Sequence, residues 1–221
     1  MSQYYRTLIQ TALPVNPRWN NCLHSWSFDN SPNDVIDTAD LTLIGSPSYG
    51  TGVINQSLVF DGVNDQANLP ANIFIPSGSF TINMWVKINS FNTAGIFDLD
   101  YADVGGFIAT NGADKVRILL PVASAYCNTT TLSTGVWYML SFTHLAGTNY
   151  KVYVNGVLSE TVNSALEYSW ASPSQVFGNL PTVGSYFFNG EMDIISFWDE
   201  EKDATFLLDM YNSGAGHQYP N

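Results

Sequence analysis

The stretch VWYMLSFTHLAGTNYKVYVNGVLSETV, residues 136–162, predicts three consecutive strands joined by short turns. Its first part, residues 136–145, is rich in β-branched and aromatic side chains, which favour strands. The next two segments, Tyr150–Val154 and Val157–Val162, flank Asn155-Gly156, a dipeptide that supplies the positive φ angles of a tight hairpin turn. The stretch therefore predicts a hairpin within an antiparallel sheet.

Strand signals of the same kind extend in both directions from this hairpin. They recur at short spacing in LHSWSFD (23–29), QSLVFDG (56–62), VNDQANLP (63–70), SFTINMWVKI (79–88) and FNGEMDIISFW (188–198). After the last of these, Asp203 predicts the start of a helix over about Ala204 to Tyr211, and Gly214 lies where it would end. Many strands with few helices predict one antiparallel β-sandwich.

The composition is acidic, with 19 Asp and Glu against 7 Lys and Arg and a net charge of −12. Without a basic stripe, binding to nucleic-acid phosphates is excluded, and an anionic membrane would repel the chain. Abundant Asp and Asn suit a hard cation such as calcium. An acidic surface also serves solubility alone, so the charge does not by itself predict a metal.

The N-terminal segment MSQYYRTLIQTALPVNPRW has neither a basic start nor a continuous apolar run. We therefore predict no signal peptide and no membrane insertion, and synthesis in a cytoplasm. Helical spacing before Pro14 and Pro17 predicts a short arm, which either packs on the sandwich or docks on a partner. Cys22 and Cys127 match no zinc spacing; we predict two free buried thiols, with one disulfide as the alternative.

Five segments occur in an order that resembles a laminin-G-like domain of the concanavalin A-like lectin/glucanase superfamily. They are LHSWSFDN, SLVFDGVNDQANLP, SFTINMWVKI, GVWYMLSFTHLAGTNYKVYVNGVLSET and FFNGEMDIISFWDEE, and the resemblance covers about residues 22–212. It implies an all-β jelly-roll sandwich of two antiparallel sheets at residues 22–221, with residues 1–21 as the N-terminal arm and a short C-terminal helix. Members bind sugars, proteins or calcium, or only build assemblies, so the fold does not choose among these functions.

The stretch GEMDIISFWDEE, residues 190–201, places Glu191 and Asp193 two residues apart on one strand. Sugar-cleaving members of the superfamily carry Glu-x-Asp-x-Glu or Glu-x-Asp-x-x-Glu, in which the last Glu donates a proton. Here the third position is Ile195 or Ser196, and neither supplies the general acid that a glycosidase needs. We therefore predict a protein that is not an enzyme.

The same stretch resembles the Gly-x-Ile-Asp-x-hydrophobic segment of laminin-G-like relatives, where the acidic residue anchors the strand end and can bind a cation. Glu191 and Asp193 would share one side of the strand and repel each other unless a cation or a donor lies between them. We predict a calcium site formed by Asp29, Asp37 and Asp193, with Glu191 as a further ligand. The alternative is a solvated acidic edge, because the loop reads DTADLTL at residues 37–43, without the Gly and Asn of the Asp-x-Ser-Gly-Asn segment in related domains.

Aromatic residues in polar stretches are candidates for stacking on sugar rings. We predict that Trp170 and Tyr168, with Tyr101 and Tyr126 from other loops, form such a carbohydrate-binding platform. Contacts between copies of the chain are the alternative use of exposed aromatics. Trp26, Trp85, Trp137 and Trp198 lie in strong strands, and we predict that they are core. His24 and His144 are predicted to be structural.

The ending DMYNSGAGHQYP, residues 209–220, is similar to tails that close such domains in bacteriophage structural proteins and in environmental bacterial proteins. We therefore expect a virion protein, such as a capsid decoration or a tail or fibre accessory, made in the host cytoplasm. Its partners would be other capsid or tail proteins, host-surface glycans and further copies of itself. The alternative is a bacterial carbohydrate-binding module or adhesin, and a remoter one is a glycoside hydrolase.

Overall fold

The computed structural model describes residues 16–71, 73, 78–99, 106–120, 125–167, 175–181, 184 and 186–220. The strands of this part are β1 Cys22–Trp26, β2 Thr42–Ile44, β3 Ser48–Thr51, β4 Gln56–Asp61, β5 Gln66–Asn68, β6 Phe80–Ile88, β7 Gly95–Asp98, β8 Phe107–Thr110, β9 Val116–Leu119, β10 Tyr126–Asn128, β11 Trp137–Leu145, β12 Asn149–Val154, β13 Val157–Asn163, β14 Val176–Phe177 and β15 Asn189–Trp198. The helices are α1, Ala204–Tyr211, and two short 3-10 helices, Pro17–Trp19 and Asn212–Gly214.

The strands form two antiparallel sheets. Sheet 1 has the order β13-β12-β11-β6-β15-β4-β3, and β1 also pairs with β15. Sheet 2 has the order β10-β9-β8-β7-β14-β5-β2. This architecture, with its single short α-helix, confirms the predicted all-β jelly-roll sandwich. No helix among the described residues has the length and apolar character needed to cross a membrane.

The main core lies between the two sheets, and the period of the strands determines which side chains enter it. On β6, for example, Ile82, Met84 and Val86 are fully buried in this core, while the residues between them face the opposite side of sheet 1. The same alternation on β9 buries Val116 and Ile118. Large apolar side chains on alternate positions therefore hold the sandwich together.

A second apolar cluster covers the outer face of sheet 1. It consists of Trp19, Trp85, Met139, Ile194, Trp198 and Met210, all buried. Trp85 stacks on Tyr211 at a centroid distance of 5.6 Å. The C-terminal helix and tail thus seal a sheet face that would otherwise lie in water. Of the four strand tryptophans predicted to be core, only Trp137 is half-buried; it receives the Lys87 ammonium 5.2 Å from its ring centroid.

The predicted hairpin and helix are confirmed. Asn155 and Gly156 have φ angles of 53° and 77°, as a primed turn requires. Asp203 caps α1 by accepting the Phe206 N–H at 2.8 Å. The end of the helix differs slightly from the prediction, because Asn212 rather than Gly214 adopts the left-handed conformation that terminates it.

The described part of the N-terminal segment packs on the domain. Trp19 is only 4% exposed, and the Arg18 Nε lies 2.5 Å from the Asp209 Oδ2 on α1. The division of the chain after residue 21 stays a prediction, since residues 1–15 lie outside the described part.

The cysteines and the two strand histidines are wholly or partly buried and contact other residues of the domain. Both cysteines are free, with Cys127 buried and Cys22 half-buried. Burial raises the pKa of each thiol to about 12. The Nδ1 of His24 lies 2.7 Å from a carboxylate oxygen of Asp34, and the Nε2 of His144 lies 2.5 Å from one of Glu167.

Candidate functional site

The acidic pair of the last strand faces the outer side of sheet 1. Glu191 lies opposite Lys87 of β6, and Asp193 lies opposite Trp85. Their neighbour Met192 points the other way, into the core between the sheets. The two carboxylates are therefore on one side of the strand, as predicted.

Glu191 is neutralised by a lysine on the adjacent strand. Its Oε1 lies 2.5 Å from the Lys87 Nζ, and its Oε2 accepts the Ser57 hydroxyl at 3.0 Å. Both groups are partly buried, so this ion pair is better shielded from water than a surface pair. A lysine on the adjacent strand thus supplies a positive donor to Glu191.

Asp193 is fully buried beneath the loop that joins β3 to β4. Its Oδ2 accepts the N–H of Val53 at 2.8 Å and that of Ile54 at 3.1 Å. Its Oδ1 has no hydrogen-bond partner among the described residues. Burial, only partly opposed by these backbone N–H groups, raises the pKa of this carboxyl to about 7. A Cβ added at residue 52 would lie 2.5 Å from the Asp193 Oδ2. The loop can therefore come this close to Asp193 only because residue 52 is a glycine.

The strand is irregular immediately after Asp193. The register with β6 shifts between Asp193 and Ser196, and Ile194 adopts a φ of 43°. Ile195 enters the main core, while the Ser196 hydroxyl lies 2.8 Å from that of Ser25. Both positions at which the sugar-cleaving relatives carry their proton donor are therefore buried.

Glu200 and Glu201, the next glutamates after the acidic pair, form ion pairs with other lysines. The Glu201 Oε1 lies 2.7 Å from the Lys151 Nζ, and Glu200 pairs with Lys202.

The structure brings together two of the predicted calcium ligands. Asp29 lies close enough to Asp193 for its charge to contribute to the raised pKa of that carboxyl. Asp29 itself accepts the side-chain amides of Asn55 at 3.1 Å and Gln218 at 2.7 Å, and the Gln56 N–H at 3.1 Å.

The third predicted calcium ligand, Asp37, is exposed in the loop between β1 and β2. Within the described ranges, no group of three or more His, Cys, Asp or Glu side chains could hold a metal ion. The calcium site stays a prediction.

Of the predicted sugar platform, only Tyr126 is described; Trp170, Tyr168 and Tyr101 lie outside the described residues. Tyr126 is half-buried and begins β10 rather than lying in a loop. The guanidinium carbon of Arg117 lies 4.1 Å from its ring centroid. One face of the ring is therefore occupied by a cation.

A cleft of about 550 Å³ opens at one end of the sandwich, where three loops meet. These loops follow β4, follow β6 and precede β15, which are neighbouring strands of sheet 1. The side chains that line the cleft include Val63, Ser90, Asn92, Thr93, Tyr186 and Asn189. Its volume lies within the roughly 300–1,000 Å³ range of small-ligand sites.

The backbone of this loop cleft is held in place by hydrogen bonds. The Gly95 N–H donates to the Tyr186 carbonyl at 2.8 Å, and the Asn89 N–H donates to that of Asn189 at 3.0 Å. Tyr186 is 42% exposed, and the side chains of Asn92 and Asn189 are also exposed. An aromatic ring beside two amides on a fixed backbone can stack on a sugar ring and hydrogen-bond its hydroxyls.

The sequence analysis did not identify this cleft. The polar segment Ser90–Thr93 follows a strong strand, and Tyr186 lies shortly before the last one. These signals become meaningful only when the strand order places the loops side by side.

Comparisons with known proteins agree on the fold. A family model described as the concanavalin A-like lectin/glucanases superfamily, Laminin_G_3, matches residues 61–205. No curated protein sequence matches the chain.

The solved structures that are similar to the chain include the following two. Domain 4 of AbnA, an extracellular arabinanase from Geobacillus stearothermophilus solved with arabinotriose, has a TM-score of 0.70 at 20% identity, covering 86% of this chain and 97% of that chain. The receptor-binding domain of botulinum neurotoxin D has a TM-score of 0.71 at 16% identity, covering 89% and 53%. The chain thus spans about half of that toxin domain, and both similarities concern the fold alone.

Proposed function

The chain belongs to the concanavalin A-like lectin/glucanase superfamily, and we propose that it is a non-catalytic, lectin-like adhesion module that binds a glycan in the loop cleft. The observation that carries the proposal is the cleft itself, in which an exposed Tyr186 lies beside the exposed amides of Asn92 and Asn189. Glycan sites combine an apolar ring face with a few fixed polar groups, and this cleft offers both. Adhesion, rather than cleavage, is the function that these groups support.

The environment of the acidic pair supports the absence of catalysis. Glu191 forms an ion pair with Lys87, and Asp193 is fully buried. A glycosidase needs a nucleophile or base and a general acid that both reach the sugar. An assay for released reducing sugar on laminarin, agar and carrageenan tests this part, and we expect none; release that is lost in Glu191→Gln would contradict it.

The glycan site is tested on the full chain with a glycan array and with titrations of neutral oligosaccharides, arabinotriose among them. We expect Tyr186→Ala to weaken binding by about tenfold, which is about 1.4 kcal/mol. Leu208→Ala, at a 54% exposed position on α1, is the control and should bind as the wild type does. Equal affinity of the wild type and Tyr186→Ala would contradict the assignment of the cleft.

We further propose that the module is displayed on a bacteriophage particle as a capsid decoration or a tail or fibre accessory. The similarity of the ending DMYNSGAGHQYP to tails of such proteins supports this setting. Many copies on one particle would convert weak single sites into firm adhesion. Mass spectrometry of purified particles from the source should find the chain in many copies, and its absence from particles would refute the display.

A bacterial carbohydrate-binding module is the second candidate. The observation that favours it is the fold shared with domain 4 of the arabinanase, a domain of an extracellular bacterial enzyme solved with arabinotriose. Detection of the chain in bacterial culture fluid, and its absence from particles, would select this candidate.

A further inference from the structure

Two neighbouring cations, Lys115 immediately before β9 and Arg117 within it, lack the carboxylate partner that every other described Lys and Arg possesses. The four paired ones are Arg18 with Asp209, Lys87 with Glu191, Lys151 with Glu201 and Lys202 with Glu200. Among the described residues, Lys115 and Arg117 form no ion pair. In a chain with 19 acids and 7 bases, two neighbouring unpaired cations are unexpected.

Lys115 and Arg117 project from the same side of sheet 2. Val116 between them and Ile118 after them are buried in the main core, so the alternation of the strand turns both cations outward. Residues two apart on a strand are separated by about 7 Å, a distance at which like charges repel. An anion placed between them would remove this repulsion.

The Arg117 guanidinium is fixed in position but has unused hydrogen-bonding capacity. Its carbon lies 4.1 Å from the Tyr126 ring centroid, which orients the planar group over the ring. Its Nε is buried and has no hydrogen-bond acceptor in the described part of the chain. A guanidinium presents a planar fork of donors that matches a carboxylate, whereas lysine supplies only a point charge.

A small polar pocket is lined by Lys115 and lies next to Arg117 through the neighbouring strand β10. It has a volume of about 230 Å³ and is lined by Lys115, Asn128, Thr129, Thr130, Ser159 and Glu160. Asn128 lies directly opposite Arg117 in the β9–β10 register. The pocket is smaller than clefts for drug-sized ligands and has room for about one sugar unit.

The one carboxylate of the pocket is engaged with its wall. Glu160 accepts both the backbone N–H and, at 3.1 Å, the side-chain amide of Asn128. It does not come within ion-pair distance of Lys115. Its negative charge is therefore directed at Asn128, and the two cations remain available to a ligand.

We propose that Lys115, Arg117, Tyr126 and Asn128 form a second binding site, the β9–β10 site, for the carboxylate of an acidic sugar such as a uronic acid. Arg117 binds the carboxylate with its donor fork, Lys115 adds the second charge, and Asn128 and the exposed Thr130 face the sugar hydroxyls. The site extends the proposed function to acidic glycans, and it is distinct from the loop cleft. Because the net charge of −12 repels long polyanions, the ligand is a short acidic saccharide or the end of a chain.

The test is a titration of the full chain with trigalacturonic acid and with an uncharged trisaccharide. We expect Arg117→Gln and Lys115→Gln each to weaken trigalacturonic acid binding about tenfold, and to leave binding of the uncharged sugar unchanged. Arg117→Lys keeps the charge but loses the fork, and should restore only part of the affinity. Thermal melts of each variant confirm that it is folded.

The outcomes separate this site from the loop cleft. Tyr186→Ala should weaken binding of the uncharged sugar and leave binding of trigalacturonic acid unchanged. The proposal for one site can therefore be refuted while the proposal for the other stands. Equal affinity of the wild type and Arg117→Gln for trigalacturonic acid would overturn the β9–β10 site. Inorganic phosphate that binds as tightly as trigalacturonic acid would overturn the assignment to a sugar.

Discussion

The indole of Trp19 stacks on that of Trp198, with ring centroids 6.1 Å apart and planes 14° apart. The first ring comes from the segment that precedes β1, and the second from the end of β15. Both are buried on the outer face of sheet 1, where Tyr219 packs edge-on against Trp19 at 5.7 Å. Residues far apart in sequence thus close this face together.

Trp19→Ala should destabilise the fold by about 3–5 kcal/mol, the usual cost of removing a buried aromatic side chain. Urea unfolding followed by far-UV circular dichroism measures the change. Leu208→Ala, at an exposed position on the neighbouring helix, should change the free energy of unfolding by less than about 0.5 kcal/mol. An unchanged midpoint for Trp19→Ala would mean that the segment before β1 does not stabilise the domain.

Gly156→Ala should destabilise the protein more than Gly147→Ala. Both glycines have positive φ angles, 77° and 66°, so an alanine incurs about 1–2 kcal/mol of strain at either. At Gly156 the new Cβ would also lie 2.6 Å from the Leu208 Cα, whereas at Gly147 no atom lies within 4 Å. Thermal melts of the two variants isolate the cost of this close approach, and equal melting temperatures would show that α1 moves away at no cost.

The raised pKa of Asp193 predicts that its contribution to stability falls as the pH increases. The folded state holds this proton up to about pH 7, whereas an unfolded aspartate loses it near its ordinary value of 3.8. The contribution is therefore fully present below about pH 4 and is lost as the pH rises to about 7, with a slope of up to about 1.4 kcal/mol per pH unit.

Asp193→Asn cannot titrate, so its stability relative to wild type should increase between pH 4 and pH 7. Urea unfolding across this range gives the difference. Asp37→Asn, at an exposed position, is the control and should follow the wild-type curve. A constant offset between Asp193→Asn and wild type would show that the carboxyl is ionised throughout.

A calcium ion shared by Asp29, Asp37 and Asp193 would raise the melting temperature at millimolar calcium relative to chelator, because a ligand that binds only the folded state stabilises it. We expect calcium to raise the melting temperature of the wild type by several degrees, and to leave that of Asp29→Asn unchanged. Identical melting temperatures in calcium and chelator would refute the site. The N–H donors of Gln56 and Gln218 would then be what holds Asp29.

The sequence was sufficient to predict those features that are determined by a few adjacent residues. The Asn155-Gly156 turn and the Asp203 cap depend on a few adjacent residues, and both were predicted. The burial of Trp198 on the outer face of sheet 1 was not predictable in this detail, because alternation gives the side of a strand but not what covers it. The covering elements come from the two ends of the described chain.

The candidate site depends on strand order, which the sequence does not state. The Lys87–Glu191 pair forms because β6 and β15 are adjacent. The bulge at Ile194 is equally hidden, since isoleucine is an unusual residue at a positive φ. The placement of Glu191 and Asp193 on one side of the strand was therefore predictable, but their partners, and the loop cleft at the end of the same strands, required the structure.

The closed outer face of sheet 1 also sets an orientation. Trp19 and Tyr219 are in contact, so the path of the chain enters and leaves the sandwich on the same side. A body held at Trp19 or Tyr219 themselves would therefore lie on the outer side of sheet 1. The outward side of sheet 2, with Arg117, would then be turned away from that body toward whatever the module meets.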